Sequence, residues 1–157
     1  MKRSLASAAA VCGLAAGSLL IGTPAQAASA TCDTFYNNTA KSGYMYAFNL
    51  RDCKDVLGAD AGDEYDWGDS TGELKGRATN NAESVMNKGT GSTYHIVRFS
   101  DYTAYNTREG YGCLSPNETH QGKYAADLWD NKLSDGGPAA NSFSSHTWVS
   151  SCSWWVD

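Results

Sequence analysis

The stretch that decides the reading is GPAANSFSSHTW, residues 137–148: Gly137-Pro138, then Asn141, then Ser144-Ser145 after two residues, and an aromatic at Trp148. It has an echo in GRATNNAESVMNKG, where Asn80-Asn81-Ala82-Glu83-Ser84-Val85 repeats the pattern about sixty residues earlier. Each copy combines a turn-forming Asn with a Ser placed to hydrogen-bond back across the turn, then continues into β-prone residues. Two such copies point to a duplicated β-unit.

Short runs around these copies supply strands. Residues 44–50, YMYAFNL, alternate apolar and aromatic side chains, and 84–87 form a brief run closed by Lys88-Gly89. In the second half 94–99, YHIVRF, is the clearest strand, with Val97 and Phe99 on one face and Ile96 and Arg98 on the other. Residues 111–114, 146–149 and 153–156 add further strand material, and 123–133 reads as a turn or two of helix. Residues 31–41 read as a tethered arm, and 58–76 as a long, solvated acidic loop around Trp67. Long helical periodicity is absent and Gly is plentiful, which gives an all-β sandwich or Greek-key domain.

The first residues stand apart. Lys2-Arg3, an apolar run and Ala25-Gln26-Ala27 read as a signal peptide over 1–27, so the chain is expected to be secreted and extracellular. Residues 28–42 then form the arm and 43–157 a single domain, with motif one over 43–91 and motif two over 92–152. The 12 basic residues include Lys2 and Arg3, so ten remain against 17 acidic ones. That balance excludes nucleic acid as a partner. No other segment approaches a membrane span, and the domain is expected to be a monomer.

Cys12 leaves with the leader, and four cysteines remain: Cys32, Cys53, Cys113 and Cys152. An even number in an exported chain reads as two disulfides, with three pairings open. Cys32–Cys53 with Cys113–Cys152 is favoured, because each bridge then staples one half. Zinc would call for paired C-x-x-C spacing, which is absent. Gly68-Asp69-Ser70-Thr71-Gly72 matches the G-x-S-x-G spacing, but a nucleophile elbow needs an apolar strand before it and a helix after it. His95, His120 and His146 are dispersed without an i,i+4 pair, so no catalytic unit is assembled. The tryptophans Trp148, Trp154 and Trp155 are assigned to the core and the sheet edges. The sequon at 117–119 carries little weight.

The two Asn/Ser segments resemble the Asn/Asp-Asn/Asp-x-x-Ser/Thr-Ser signature of βγ-crystallin Greek keys. The order of Cys113-Leu114-Ser115-Pro116, an acidic-aromatic loop, Asn141-x-x-Ser144-Ser145-x-x-Trp148 and a final Cys152 is similar to a narrower group. These are the secreted bacterial βγ-crystallin-like peptidase inhibitors, number thirty-six in the peptidase-inhibitor classification. The likeness covers about 43–152. It implies two Greek-key motifs in a small disulfide-stapled sandwich, no enzymatic activity, and inhibition of an extracellular peptidase, a metalloprotease, by occupying its substrate cleft. Segments beside Cys53 and Cys113 are candidates for the inhibitory loop, since a staple lowers the entropy lost on docking; ordinary connections are the other reading.

The resemblance also implies calcium, held by oxygens of Asn80, Asn81, Ser84, Asn141, Ser144 and Ser145. Val85 stands at the second Ser position of the first copy and Ala140 at the first Asn/Asp position of the second, so binding is expected to be weak and no cofactor is required. Alternatives to inhibition are a calcium- or cell-envelope-binding domain and an antimicrobial toxin-like protein.

Overall fold

The computed structural model describes residues 29–116 and 122–156. The expected leader over 1–27, Cys12, His120 and the 117–119 sequon lie outside the described residues. The chain begins with helix α1 (Ala30–Asn38) and continues through β1 (Met45–Leu50), β2 (Lys54–Asp60), β3 (Ser84–Asn87), β4 (Ile96–Ser100), β5 (Tyr111–Leu114), β6 (Tyr124–Ala125) and β7 (Ser145–Val149).

These strands form two antiparallel sheets, one ordered β2-β1-β3-β6 and the other β5-β4-β7. Glu64 adds an antiparallel bridge to His146 on β7, so the first repeat lends its third segment to the second sheet. The second repeat reciprocates by lending β6 to the first sheet. Each repeat thus follows a Greek-key path, and the two exchange their third strands. This is the all-β, disulfide-stapled sandwich expected from the sequence.

Strand β1 is buried on both faces because its side chains alternate. Met45 and Ala47 point into the core between the sheets with Val85, Val97, Phe99 and Phe143. Tyr46 and Phe48 point the other way and join Cys32 and Met86 in a second cluster, with Phe35 and Tyr36 of α1 packed against it. The helix therefore roofs the outer face of the first sheet. It is capped by Ser29, whose side chain accepts a hydrogen bond from the Cys32 N–H at 3.3 Å. Lys88 Nζ donates to the carbonyls of Tyr36 and Ala40, the latter at 3.0 Å, and Lys123 pairs with Asp33 at 3.1 Å. Cys32–Cys53 ties this roof to the β1–β2 corner, and Cys113–Cys152 ties β5 to the tail after β7. Closures spanning 21 and 39 residues contribute roughly 3–4 kcal/mol each in the chain-entropy view.

Five expectations need correction. The arm over 28–42 contains α1, a helix made by its cap and by the Cys32, Phe35, Tyr36 face rather than by helix-forming residues. The acidic stretch over 58–76 is not a solvated loop throughout: β2 reaches Asp60, while Glu64, Trp67 and Leu74 are buried. Residues 123–133 hold β6 and a single 3-10 turn at Leu128–Asp130. Tryptophan supplies the core through Trp67, which has no exposed surface, whereas Trp154 remains 40% exposed. The 153–156 tail makes only a parallel bridge between Cys113 and Trp155, with Val156 buried in the core.

Candidate functional site

The two Asn/Ser corners form the most regular local structure in the molecule. Asn80 and Asn141 both have φ in the left-handed region, at 53° and 58°, which short polar side chains tolerate better than most. Asn80 N donates to the Phe143 carbonyl at 2.9 Å, and Asn141 N donates to that of Ala82 at 2.8 Å, a reciprocal pair relating the repeats by a pseudo-twofold axis. The hydroxyl of Ser84 accepts from Cys53 N at 3.1 Å and donates to the Leu50 carbonyl at 2.7 Å. The hydroxyl of Ser145 does the same with Tyr105 N at 3.2 Å and the Tyr102 carbonyl at 2.7 Å.

These partners show that the copies correspond one residue away from their expected alignment. Ser84 matches Ser145, Glu83 matches Ser144, Thr79 matches Ala140, and Asn81 matches Ser142. Asn81 Nδ2 donates to the carbonyls of Arg77 and Thr79, as Ser142 Oγ donates to those of Pro138 and Ala140. Val85 therefore does not replace a Ser; it matches His146. Removing either hydroxyl strands a backbone N–H inside the fold. Ser84→Ala and Ser145→Ala are each expected to lower the unfolding free energy by about 1–3 kcal/mol in urea titrations.

The six oxygen-bearing residues expected at a cation site fall into unlike groups. Ser84 and Ser145 are engaged with the β1–β2 and β4–β5 corners, and Asn81 with the backbone. Asn80, Thr79 and Ser144 come together across the repeats: Ser144 Oγ donates to Asn80 Oδ1 at 3.0 Å and lies 2.9 Å from Thr79 Oγ1. The pseudo-symmetric position holds Asn141, Ala140 and Glu83, so it lacks both of these hydroxyls. Among the described residues no group of three or more His, Cys, Asp or Glu is placed to hold a metal ion.

A second polar cluster lies where the first repeat crosses to the second sheet. His146 is completely buried. Its Nδ1 accepts from Trp67 Nε1 at 2.9 Å, and an indole N–H can only donate. The proton of the neutral ring is therefore on Nε2, which faces the Gly62 carbonyl at 3.0 Å and the Asp60 carboxylate at 3.6 Å. Burial holds its pKa down at about 4, with Asp60, the Gly62 carbonyl and Asp63 opposing that displacement. Glu64 Oε2 accepts the N–H groups of Glu73 and Leu74 at 2.9 and 3.3 Å, folding the acidic loop around itself. Burial raises the Glu64 pKa above the ordinary carboxylate value, against these two N–H groups, and Asp60 adds to the rise. Gly72 has φ 72°, and a Cβ there would fall 1.5 Å from Glu64 Oε1, so this turn needs glycine.

The G-x-S-x-G match sits in this loop as an exposed Asx turn: Asp69 Oδ1 accepts Thr71 N at 2.7 Å. The apolar strand and following helix of a nucleophile elbow do not flank it.

Of the two candidate inhibitory segments, one is well defined. Residues 50–56 turn the β1–β2 corner with Asp52, Cys53 and Asp55 in the left-handed region. The corner is held by Cys32–Cys53, by Ser84, by Asp52 N to the Ala126 carbonyl at 2.9 Å, and by Asn49 Nδ2 to Asp55 at 2.9 Å. Leu50 and Val56 are 47% and 41% exposed at its flanks. Beside the other, Cys113 and Leu114 are buried in β5.

Path, corner hydrogen bonds and internal repeat define the class: a β-sandwich of two Greek keys of the βγ-crystallin type. A solved structure concerned with the evolution of the eye lens βγ-crystallin domain fold aligns with 72% of this chain and 91% of its own, at 12% identity and a TM-score of 0.48. No family model matches the chain, and no curated protein matches it.

Proposed function

We propose that the protein is a secreted inhibitor of an extracellular peptidase, in particular a metalloprotease, and that residues 50–56 enter the substrate cleft. The supporting observation is the corner itself, exposed and yet anchored by a disulfide, a buried serine and two further hydrogen bonds. A segment already held in one conformation loses little entropy on docking and resists relaxing into a cleavable geometry. Exposed Leu50 and Val56 offer apolar anchors, and Arg51 carries an exposed cation between them.

The test is a titration of the purified protein against a panel of metallo-, serine and cysteine peptidases. Stoichiometric slowing of at least one metallopeptidase is expected, weakened tenfold or more in Leu50→Asp and Arg51→Ala. The ion pair that Arg51 makes with Asp127 at 3.0 Å is a surface one, so its loss should leave the melting temperature nearly unchanged. Silence across the panel removes the reading. Calcium is proposed as a weak, dispensable ligand at Thr79, Asn80 and Ser144, so repeating the titration with millimolar calcium should leave inhibition intact.

A further inference from the structure

Two hollows open side by side, one of about 550 Å³ on the first repeat and one of about 280 Å³ between the repeats, and Ala61 lines both. Tyr94 and Trp148 bound the smaller one; Tyr44, Tyr46 and Glu73 bound the larger. None of these residues belongs to the corner at 50–56, so the groove is a surface separate from the inhibitory reading.

Two of the rings are set before any ligand arrives. Trp148 Nε1 donates to the Gly62 carbonyl at 2.8 Å, and its backbone N donates to Asp63 Oδ1 at 2.7 Å. Gly89 lies against the indole so closely that a Cβ would come within 2.5 Å of Trp148 Cζ3. Tyr46, only 6% exposed, forms the floor of the larger hollow with its Oη accepting the Lys41 N–H at 2.7 Å, so the accessible ring there is that of Tyr44. Tyr94, 65% exposed, is the adaptable member.

Gly43, Gly58, Gly89 and Gly91 line the hollows, which leaves aromatic surfaces along a smooth wall and little to grip a peptide side chain. Such surfaces suit the C–H faces of pyranose rings, which are flattest when every ring substituent is equatorial. A β-linked, gluco-configured chain presents those faces repeatedly along its length. Its hydroxyls can donate to Glu73 and Asp60 and exchange hydrogen bonds with Thr90. The charges argue against an acidic sugar, because Asp60, Asp63 and Glu73 outnumber Lys41 around the groove. We propose that the groove running from Trp148 past Ala61 to Tyr44 binds a neutral β-linked gluco-configured glycan.

The experiment titrates the purified protein with cellohexaose, laminarihexaose and chitohexaose, following tryptophan fluorescence and the amide resonances of Ala61 and Gly89. Decalysine serves as the peptide probe. Saturable binding of at least one hexasaccharide is expected, moving both amides. Tyr94→Ala and Ala61→Arg, both at exposed positions, should weaken it tenfold or more without lowering the melting temperature. Failure of all three sugars to saturate overturns the proposal, as does undiminished binding by both variants. Movement of these amides by decalysine alone would assign the groove to a cationic peptide and overturn it equally.

Discussion

Trp67→Ala is expected to destabilise the fold by about 3–5 kcal/mol, the range for removing a buried large aromatic. Trp67 has no exposed surface and packs edge-on against Phe99, Phe143 and His146, with ring centroids 6.1, 6.4 and 5.7 Å away. Truncation leaves a void where the two repeats meet and also strips His146 Nδ1 of the indole N–H it accepts, a further penalty for a buried acceptor. The backbone consequence follows, since Trp67 N donates to the Ser144 carbonyl at 2.8 Å and helps seat the second Asn/Ser corner. In thermal melts a loss of this size should lower Tm by roughly 10–20 °C. Trp67→Phe separates the two causes: it retains most of the ring volume, so its smaller loss of about 1–3 kcal/mol reports the missing N–H. If Trp67→Ala stays within about 1 kcal/mol of the parent protein, the ring does not organise the core.

Trp67 also shows why part of the molecule was hidden from its sequence. Asp63, Glu64, Asp66 and Asp69 surround it, and such a run reads as solvated surface. The chain instead folds Glu64 inward, where two backbone N–H groups meet the carboxylate, and this lets Trp67 and Leu74 reach the core. Strands β3 and β5 were legible because their short apolar runs are bracketed by turn residues. Helix α1 was not, since ATCDTFYNN lacks strong helix formers after Ala30 and its stability comes from Phe35 and Tyr36 packing on a sheet built later in the chain. The corner serines were visible as a pattern but not in register, because a doubled Asn permits two alignments and only the left-handed φ at Asn80 and Asn141 chooses between them. Nothing in the spacing of the histidines could disclose His146 as a buried hub, as its partner Trp67 is 79 positions away. The groove was equally dispersed, its rings coming from Tyr44, Tyr46, Tyr94 and Trp148.

Acid should weaken the protein through His146 before most carboxylates titrate. The folded chain holds this ring neutral down to about pH 4, whereas the unfolded chain binds the proton near pH 6.5. Between those values the unfolded state carries more protons, so stability is fully present above pH 6.5 and falls as pH drops toward 4. The gap corresponds to about 3 kcal/mol lost across that window. Glu64 acts in the opposite direction: its raised pKa lets the folded state take up a proton first, so its protonation recovers part of the loss. Asp101 does likewise, raised by burial and then by Asp135 and Glu109. Urea midpoints measured from pH 7 to pH 4 should therefore decline. His146→Val, which installs the residue found at the matching position Val85, should be less stable at pH 7 because Trp67 Nε1 loses its acceptor, while the Gly62 carbonyl keeps the Trp148 indole N–H. Its midpoint should no longer decline across this window, since Glu64 and Asp101 alone stabilise the folded state as pH falls. An unchanged decline in His146→Val would place the acid sensitivity elsewhere. Because the Gly62 carbonyl holds the Trp148 indole and Asp63 its backbone N–H, protonation of His146 would reach the glycan groove through the same short segment.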